Sequence, residues 1–354
     1  MKKKVFKHVG RILLAILIVI VGYFAYLMLQ YSRIEDNLAL TVVQNASAEI
    51  SADQEYTLVS WNLGFGAYSA DFSFFMDGGK ESRAYSKDAV NANISGAIEQ
   101  LKALNPDLIL LQEIDTGSTR SYHVDEREML ESAFPEKSAT FAVNYHSAYL
   151  MYPLLEPHGQ SNSGILTLSD FAIQSSTRRS LPVETGLTKF LDLDRCYTVN
   201  RIQVSNGKTL CLYNLHLSAY TTDGTIANEQ LEMLLNDMRS EYEAGNYAIG
   251  GGDFNKDLLG NSAEVFGVSG DDFTWAQPIP DGIIGSGVEL SVSENLVPSC
   301  RNTDIGYTPG ESFVITVDGF LVSDNVTVIS TETVDAGFAY SDHNPVKMQF
   351  VLEG

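Results

Sequence analysis

Asp253 and Asn255 close the stretch Tyr247-Ala248-Ile249-Gly250-Gly251-Gly252-Asp253-Phe254-Asn255, where a short apolar run meets three glycines, an acid and an amide. Residues two apart in extended backbone share a face, so this carboxylate and this amide are expected to point together. The glycines before them are expected to clear room for a phosphate or metal near the backbone. The same composition also makes an ordinary glycine-rich turn. Asn62, Glu113, His216 and Asp318 likewise stand at, or just past, the ends of apolar runs, and Asp342 and His343 stand just before one. If neighbouring strands are mostly antiparallel and sandwiched, such ends can gather on one rim, where a rigid sheet positions loop-end residues.

The residue types define a chemistry. Carboxylates without a thiolate suit Mg²⁺, a hard ion that prefers oxygen. Two histidines and an aspartate offer proton transfer near neutral pH. Amides and imidazoles donate hydrogen bonds to charge that develops on phosphoryl oxygens. Together these are parts for metal-assisted phosphate-ester hydrolysis. Taken singly, each residue has a plainer reading: Glu113 ends a strand at the surface, Asp318-Gly319 makes a turn, Asn62 caps a loop, and His216 sits satisfied in the core.

The elements that must position these residues follow from periodicity. Strands are expected at 56–61, 107–112, 138–144, 164–173, 313–322 and 346–352 and in the stretch 247–255, with a hairpin over 195–215 turning at Asn206-Gly207. That turn would set position 211 against 202 and 196 against 217, so Cys196 and Cys211 are not cross-strand partners. With Cys300 they make an odd count, read as buried free thiols. Helical spacing covers 86–105 and 225–244, and a shorter helix is expected near 124–134. Residues 256–310 read as a long Gly- and acid-rich insertion. Few helices among many strands indicate a layered α/β domain over 56–354, not a βαβ array.

The first eleven residues hold five cations and no acid, and Ile12–Leu29 is uncharged. A run of roughly 18 apolar residues is long enough to span a bilayer. A cleaved signal usually has a shorter apolar region, and the small-x-small pattern Ala46-Ser47-Ala48 lies far from the run, so an uncleaved anchor over 12–30 is expected. The basic tail (1–11) would stay cytoplasmic, giving a single-pass cell-membrane protein with its remainder outside, first as a polar stalk over 31–55. The remainder carries 18 cations against 45 acids, a net of −27. That balance opposes tight, sequence-blind binding of nucleic acid.

The ordered set Trp61-Asn62, Gln112-Glu113, Asn214-Leu215-His216, Gly251-Gly252-Asp253-Phe254-Asn255, Val317-Asp318-Gly319 and Ser341-Asp342-His343-Asn344-Pro345 resembles the endonuclease/exonuclease/phosphatase superfamily over about 56–352. The superfamily includes pancreatic deoxyribonuclease, abasic-site endonucleases, neutral sphingomyelinases and inositol polyphosphate 5-phosphatases. The resemblance implies a four-layered α/β sandwich of two packed, mostly antiparallel sheets flanked by helices. It implies Mg²⁺, with Mn²⁺ as a substitute, near Glu113, with Asn62 and Asp342 close by. His343 would act with water or the attacked phosphate, oriented by Asp318. Asp253 would position or deprotonate the water, Asn255 would hold a phosphate oxygen, and His216 would contact the phosphate as in the nuclease and sphingomyelinase branches. Whether one metal or two act, and whether Asp253 or His343 is the base, stays open. No mid-domain Tyr or Arg of the abasic endonucleases aligns. Arg301, in the insertion, is either a substrate-binding cation or a surface loop residue.

The expected activity is an outward-facing, membrane-anchored Mg²⁺-dependent phosphodiesterase for a small or lipid-linked phosphodiester. The alternatives are a tethered extracellular nuclease, with nucleic acid only as substrate, and a catalytically silent binding module on the same fold. No protein partner is expected.

Overall fold

The computed structural model describes residues 2–190, 194–219, 224–268 and 275–354; residues 269–274 of the expected insertion lie outside that set. Helix α1 (Lys2–Gln30) leads into β1 (Leu38–Ala39), β2 (Val42–Val43), β3 (Glu55–Asn62), α2 (Lys87–Leu104), β4 (Leu108–Asp115) and α3 (Glu126–Ala133). Then come β5 (Ser138–His146), β6 (Asn162–Ser169), β7 (Ile173–Ser180), β8 (Cys196–Gln203), β9 (Thr209–His216), α4 (Thr225–Glu243), β10 (Tyr247–Asp253) and α5 (Ser262–Phe266). The chain closes with β11 (Val288–Ser291), β12 (Cys300–Arg301), β13 (Val314–Ile315), β14 (Asp318–Ser323), β15 (Val326–Thr333) and β16 (Val346–Leu352).

Two seven-stranded sheets, ordered β1-β7-β8-β9-β10-β14-β11 and β15-β16-β3-β4-β6-β5-β2, stack as the inner layers of a four-layered sandwich. One core lies between the sheets, with Leu58, Leu110, Leu212, Ile249, Phe320 and Met348 at its centre. A second lies between β3/β4 and helix α2, and a third between β9/β10 and α4. Helix α2 begins where Ser86 Oγ accepts from the Ala89 amide at 3.1 Å and ends on Asn105 in the left-handed region, ahead of Pro106. Its Val90, Ile94, Ala97 and Leu101, at helical spacing, are buried.

Helix α1 is long and apolar enough to cross a membrane: within Lys4–Gln30 an 18-residue stretch has a mean hydropathy of 2.8 and is 6% buried; a signal sequence meets the same measure. Residues 31–55, expected as a stalk, are laid along the domain. There β1 pairs with β7, β2 pairs with β5, and Ile50 is fully buried between the sheets. These pairings are two residues long, too short to show as periodicity.

Three strand readings are corrected. The expected strand 164–173 is two strands in different sheets, β6 and β7, and β7 (Ile-Gln-Ser-Ser-Thr-Arg-Arg-Ser) carries too little apolar alternation to be read. The expected strand 313–322 breaks into β13 and β14, and β15 was not foreseen. The hairpin turns through three residues, with the Val204 amide donating to Lys208 O (3.0 Å) and Gly207 at φ 85°. That added residue moves the register by one, so Cys211 pairs with Arg201 and Tyr197 with Leu215. All three cysteines are nonetheless free and buried.

Candidate active site

Parallel pairing puts the strand ends together. Strands β9 and β10 run parallel, joined by α4, so His216 lies directly beside Asp253. Strand β14 runs antiparallel on the other side of β10, and its first residue, Asp318, is Asp253's opposite partner. In the facing sheet β3 and β4 are also parallel, joined by α2, with Asn62 opposite Gln112 and Glu113 next in line. The two sheets are mostly antiparallel, as expected, and it is the two parallel pairs within them that keep these neighbouring C-terminal ends on one rim. Strand β16 is antiparallel to β3, so the loop before it returns over the same rim. There Ser341 Oγ donates to Asn62 O (2.7 Å) and Trp61 Nε1 donates to His343 O (2.8 Å).

Two local devices aim the side chains. A register shift between Leu111 and Ile114, with Glu113 at φ 56°, turns Glu113 out of the β4–β6 ladder. Gly64 leaves space for Asp342, whose Oδ1 would stand 2.8 Å from a Cβ at position 64. Gly250, Gly251 and Gly252 act otherwise than expected. They are buried inside the strand and face Met238, Phe320 with Leu110, and Leu215 O respectively, so they close the packing of the sheet and expose no backbone to a phosphate.

Asp253 is the focus. Its Oδ2 receives Asn62 Nδ2 at 3.0 Å and faces His216 Nε2 at 3.5 Å and His343 Nε2 at 3.7 Å, while Oδ1 accepts from the Asn255 amide at 2.8 Å. That last bond is an Asx turn, with Asn255 at φ 49°; it, and not strand alternation, brings Asn255 to the cleft. Asn255 Nδ2 donates to Leu217 O (2.8 Å). His343 Nδ1 donates to Asp318 Oδ2 (2.8 Å), which also accepts from Ser299 Oγ (2.7 Å). Asn62 Nδ2 reaches Glu113 Oε1 at 3.3 Å, and Asn62 Oδ1 accepts from the Gly64 amide (3.0 Å). Below, Gln112 Nε2 donates to Asn214 Oδ1 (2.8 Å), tying the two sheets under the site.

Burial sets the protonation. It raises Asp253 to about 7 against the opposing pull of His343, with Asp318 adding to the rise. It raises Asp342 to about 6, and Glu113 adds to that rise. Burial works against a charged His343, yet the carboxylates of Asp318 and Asp253 together with Cys300 hold it well above the usual imidazole value. His216 is pushed well below it by burial, then by Arg195 and His343.

The cleft has two joined lobes of about 110 and 100 Å³ that share Tyr68, Glu113, Arg195 and His216. The donors fit a divalent cation: Glu113 and Asp342 supply only oxygen, with Asn62 turned through its Nδ2 to Glu113 beside them, and burial raises the carboxyls of Asp253 and Asp342, which a bound cation would oppose. One donor atom each from Asp253, Asp318 and His343 also falls within 4.8 Å of the others. In that trio the imidazole Nδ1 is already bonded to Asp318, which suits proton handling better than metal ligation.

Arg301 is buried, not on a surface loop. Its Nη groups donate to the carbonyls of Asn302, Ile305, Ser69 and Phe72 at 3.1–3.3 Å, and it lines the cleft. Arg120 and Arg195, which also line the cleft, were missed. Arg120 is buried, bound through two nitrogens to Asp115 (2.8 and 3.0 Å), 4.0 Å from Glu113 and stacked 3.9 Å over Phe65. Only its rarity as a cation in so acidic a chain marked it. His158 lies on the same wall, with Nδ1 donating to Ser82 O (2.7 Å), and burial, then Arg120, lowers it to about 4. A histidine depressed in the fold favours the native state above its ordinary value of 6.5 and surrenders that contribution as pH falls toward 4. The unaltered chain should therefore lose about 3 kcal/mol more stability over this window than His158→Gln, read as the difference between their melting profiles, in which the titration of Asp253 and Asp342 cancels.

Comparison with known proteins gives the family and the fold. The model of the Endonuclease/Exonuclease/phosphatase family matches residues 59–343. No curated protein sequence matches the chain. Among solved structures, an endonuclease/exonuclease/phosphatase from Beutenbergia cavernae superposes with a TM-score of 0.57 at 17% identity, over 85% of this chain and 72% of that one. D. rerio TDP2, solved with a single-strand DNA product, gives 0.52 at 16%, over 84% and 99%. ANGEL2, a 2',3'-cyclic phosphatase solved with adenosine-2',3'-vanadate, gives 0.55 at 16%, over 90% and 99%. At such identities these likenesses show the shared fold. With the family model covering most of the chain, the protein belongs to the endonuclease/exonuclease/phosphatase family, hydrolases of phosphoester bonds that generally depend on a divalent metal.

Proposed function

We propose that the protein is a membrane-anchored, outward-facing, Mg²⁺-dependent phosphodiesterase acting on a small or lipid-linked phosphodiester. The observation that carries this reading is the convergence of Asn62, His216 and His343 on one oxygen of a buried Asp253 beside Glu113 and Asp342. Glu113 and Asp342, with Asn62 beside them, would hold Mg²⁺, which neutralises charge on phosphoryl oxygens. Asp253, raised to about 7, accepts the proton of the attacking water. His343, kept protonated by Asp318, donates to a phosphoryl oxygen or to the departing alkoxide. One P–O bond forms to water, the ester P–O bond breaks, and a phosphomonoester and an alcohol result. His216, held neutral by burial, and Asn255 line the phosphate's side of the cleft; Arg120 and Arg195 add positive charge on the far wall.

Helix α1, with five cations before its apolar run and none within it, supports the anchor and the outward orientation. Relatives of this fold were solved with a single-strand DNA product and with adenosine-2',3'-vanadate, which supports a phosphoester substrate here. The net charge of −27 beyond the first eleven residues favours a small or membrane-borne substrate over a long polyanion. Full-length protein in detergent should hydrolyse bis(p-nitrophenyl) phosphate with Mg²⁺ and stop when EDTA is added. Turnover that persists in EDTA would refute the metal assignment. Side-by-side rates on plasmid DNA, a phospholipid and inositol phosphates rank the substrate classes, and a preference for DNA would replace this reading with the nuclease.

A further inference from the structure

Four large apolar side chains stand exposed within five residues: Met151 (53%), Tyr152 (68%), Leu154 (82%) and Leu155 (102%). They form the tip of a braced loop. Leu150 and Gly159 exchange backbone hydrogen bonds at 3.0 Å, and the His158 amide donates to Tyr152 O at 3.1 Å. Arg83 Nε donates to Pro157 O and Ser82 Oγ to Glu156 O, both at 2.5 Å. A rigid frame thus holds greasy side chains out, an arrangement that water alone does not reward.

The loop is joined to α1. Tyr23 Oη accepts from the Met151 amide (3.0 Å) and donates to Tyr149 O (3.3 Å), and Tyr26 Oη accepts from the Tyr149 amide (3.0 Å). Tyr23 lies six residues before Leu29, the last apolar residue of the run, hence about 9 Å inside its end at a rise of ~1.5 Å per residue. Tyrosines near the end of a spanning helix sit at the headgroup boundary. Their hydroxyls reach outward toward that boundary, and a loop that shares them lies against it.

We propose that loop 149–157 is a second membrane contact, its apolar tip seated in the lipid layer from which α1 emerges, so that the cleft opens against the bilayer. This rests on the anchored reading of α1 given above. The occupant is lipid, held by apolar contact and not by charge, because the acidic domain repels anionic headgroups. An aromatic strip runs from the tip into the cleft: Tyr152 meets Phe75 (5.8 Å), Phe75 meets Phe74 (5.0 Å), and Phe74 meets Phe65 (6.2 Å). Phe65 and Phe74 line the same lobe as Glu113 and His216. A phosphodiester that enters along that strip is one whose alcohol carries a lipid tail.

The test uses the full chain in phosphatidylcholine vesicles. Leu155→Cys can be labelled selectively with an environment-sensitive fluorophore because the native thiols are buried. The expected result is blue-shifted emission, quenched when the acyl chains are brominated. Water-like emission without quenching, or a dimer in detergent that Leu155→Glu abolishes, overturns the proposal. In a second arm, Leu154→Glu/Leu155→Glu should keep the bis(p-nitrophenyl) phosphate rate and lose about tenfold or more on vesicle phospholipid. Equal losses on both substrates would mean a merely structural loop and overturn it too. If the unaltered protein cleaves no phosphoester, the hydrolase reading falls while the quenching result still decides the docking.

Discussion

Replacing His343 with alanine is expected to lower kcat on bis(p-nitrophenyl) phosphate by about 10³-fold, with a folded protein remaining. The imidazole is buried, its Nδ1 bonded to Asp318 and its Nε2 3.7 Å from Asp253 Oδ2, so it has one free edge and that edge faces the reacting groups. Asp318 keeps Ser299 Oγ and so is not left bare in the variant. Without the imidazolium, Asp253 and Asp318 face each other unrelieved, which holds Asp253 protonated to higher pH and weakens it as acceptor of the water's proton. The effect therefore combines a lost donor with a mistuned base. Asp253→Ala should cost a similar factor, and the double variant little more than either single one, because residues that act as a unit are not additive. A near-normal rate for His343→Ala, with its melting temperature intact, would remove these two residues from the chemistry.

Gly252→Ala should be the most damaging small change to the fold. A Cβ there would stand 2.0 Å from Leu215 O on the neighbouring strand, and the backbone, at φ 153°, has no easy way to turn it aside. A carbonyl in a ladder cannot swing away as a side-chain tip can, so β9 and β10 must part. The expected loss is about 3 kcal/mol or more, a fall in melting temperature on the order of 10 °C. The next pair along is His216 and Asp253, so activity should fall with stability. Gly250→Ala is the control: its Cβ would meet the flexible end of Met238 at 3.2 Å and should be tolerated far better. A Gly252→Ala protein that melts normally yet no longer binds substrate would restore the view that this glycine makes room for a phosphate.

The chain by itself determined the types and ends of its principal elements. Helix 86–105 was readable because its apolar spacing and Asn105-Pro106 stop act within a few residues. Strand 346–352 was readable because alternation is a local signal, and its bounds match β16. Acids, amides and histidines beside such strands pointed to phosphoester hydrolysis, the chemistry of the family to which the chain belongs. Tertiary structure alone decided how they meet. Two parallel pairs, β3 with β4 and β9 with β10, bring strand ends to one rim, and strand direction depends on crossovers through α2 and α4 that leave no local trace. The bulge that turns out Glu113, the packing role of the glycines, and the entry of Arg120 and Arg195 into the cleft arise from contacts between segments far apart in the chain. Polar strands such as β7, and segment 31–55, took their form from the sheet edges they complete, where backbone pairing supplies what side-chain pattern did not.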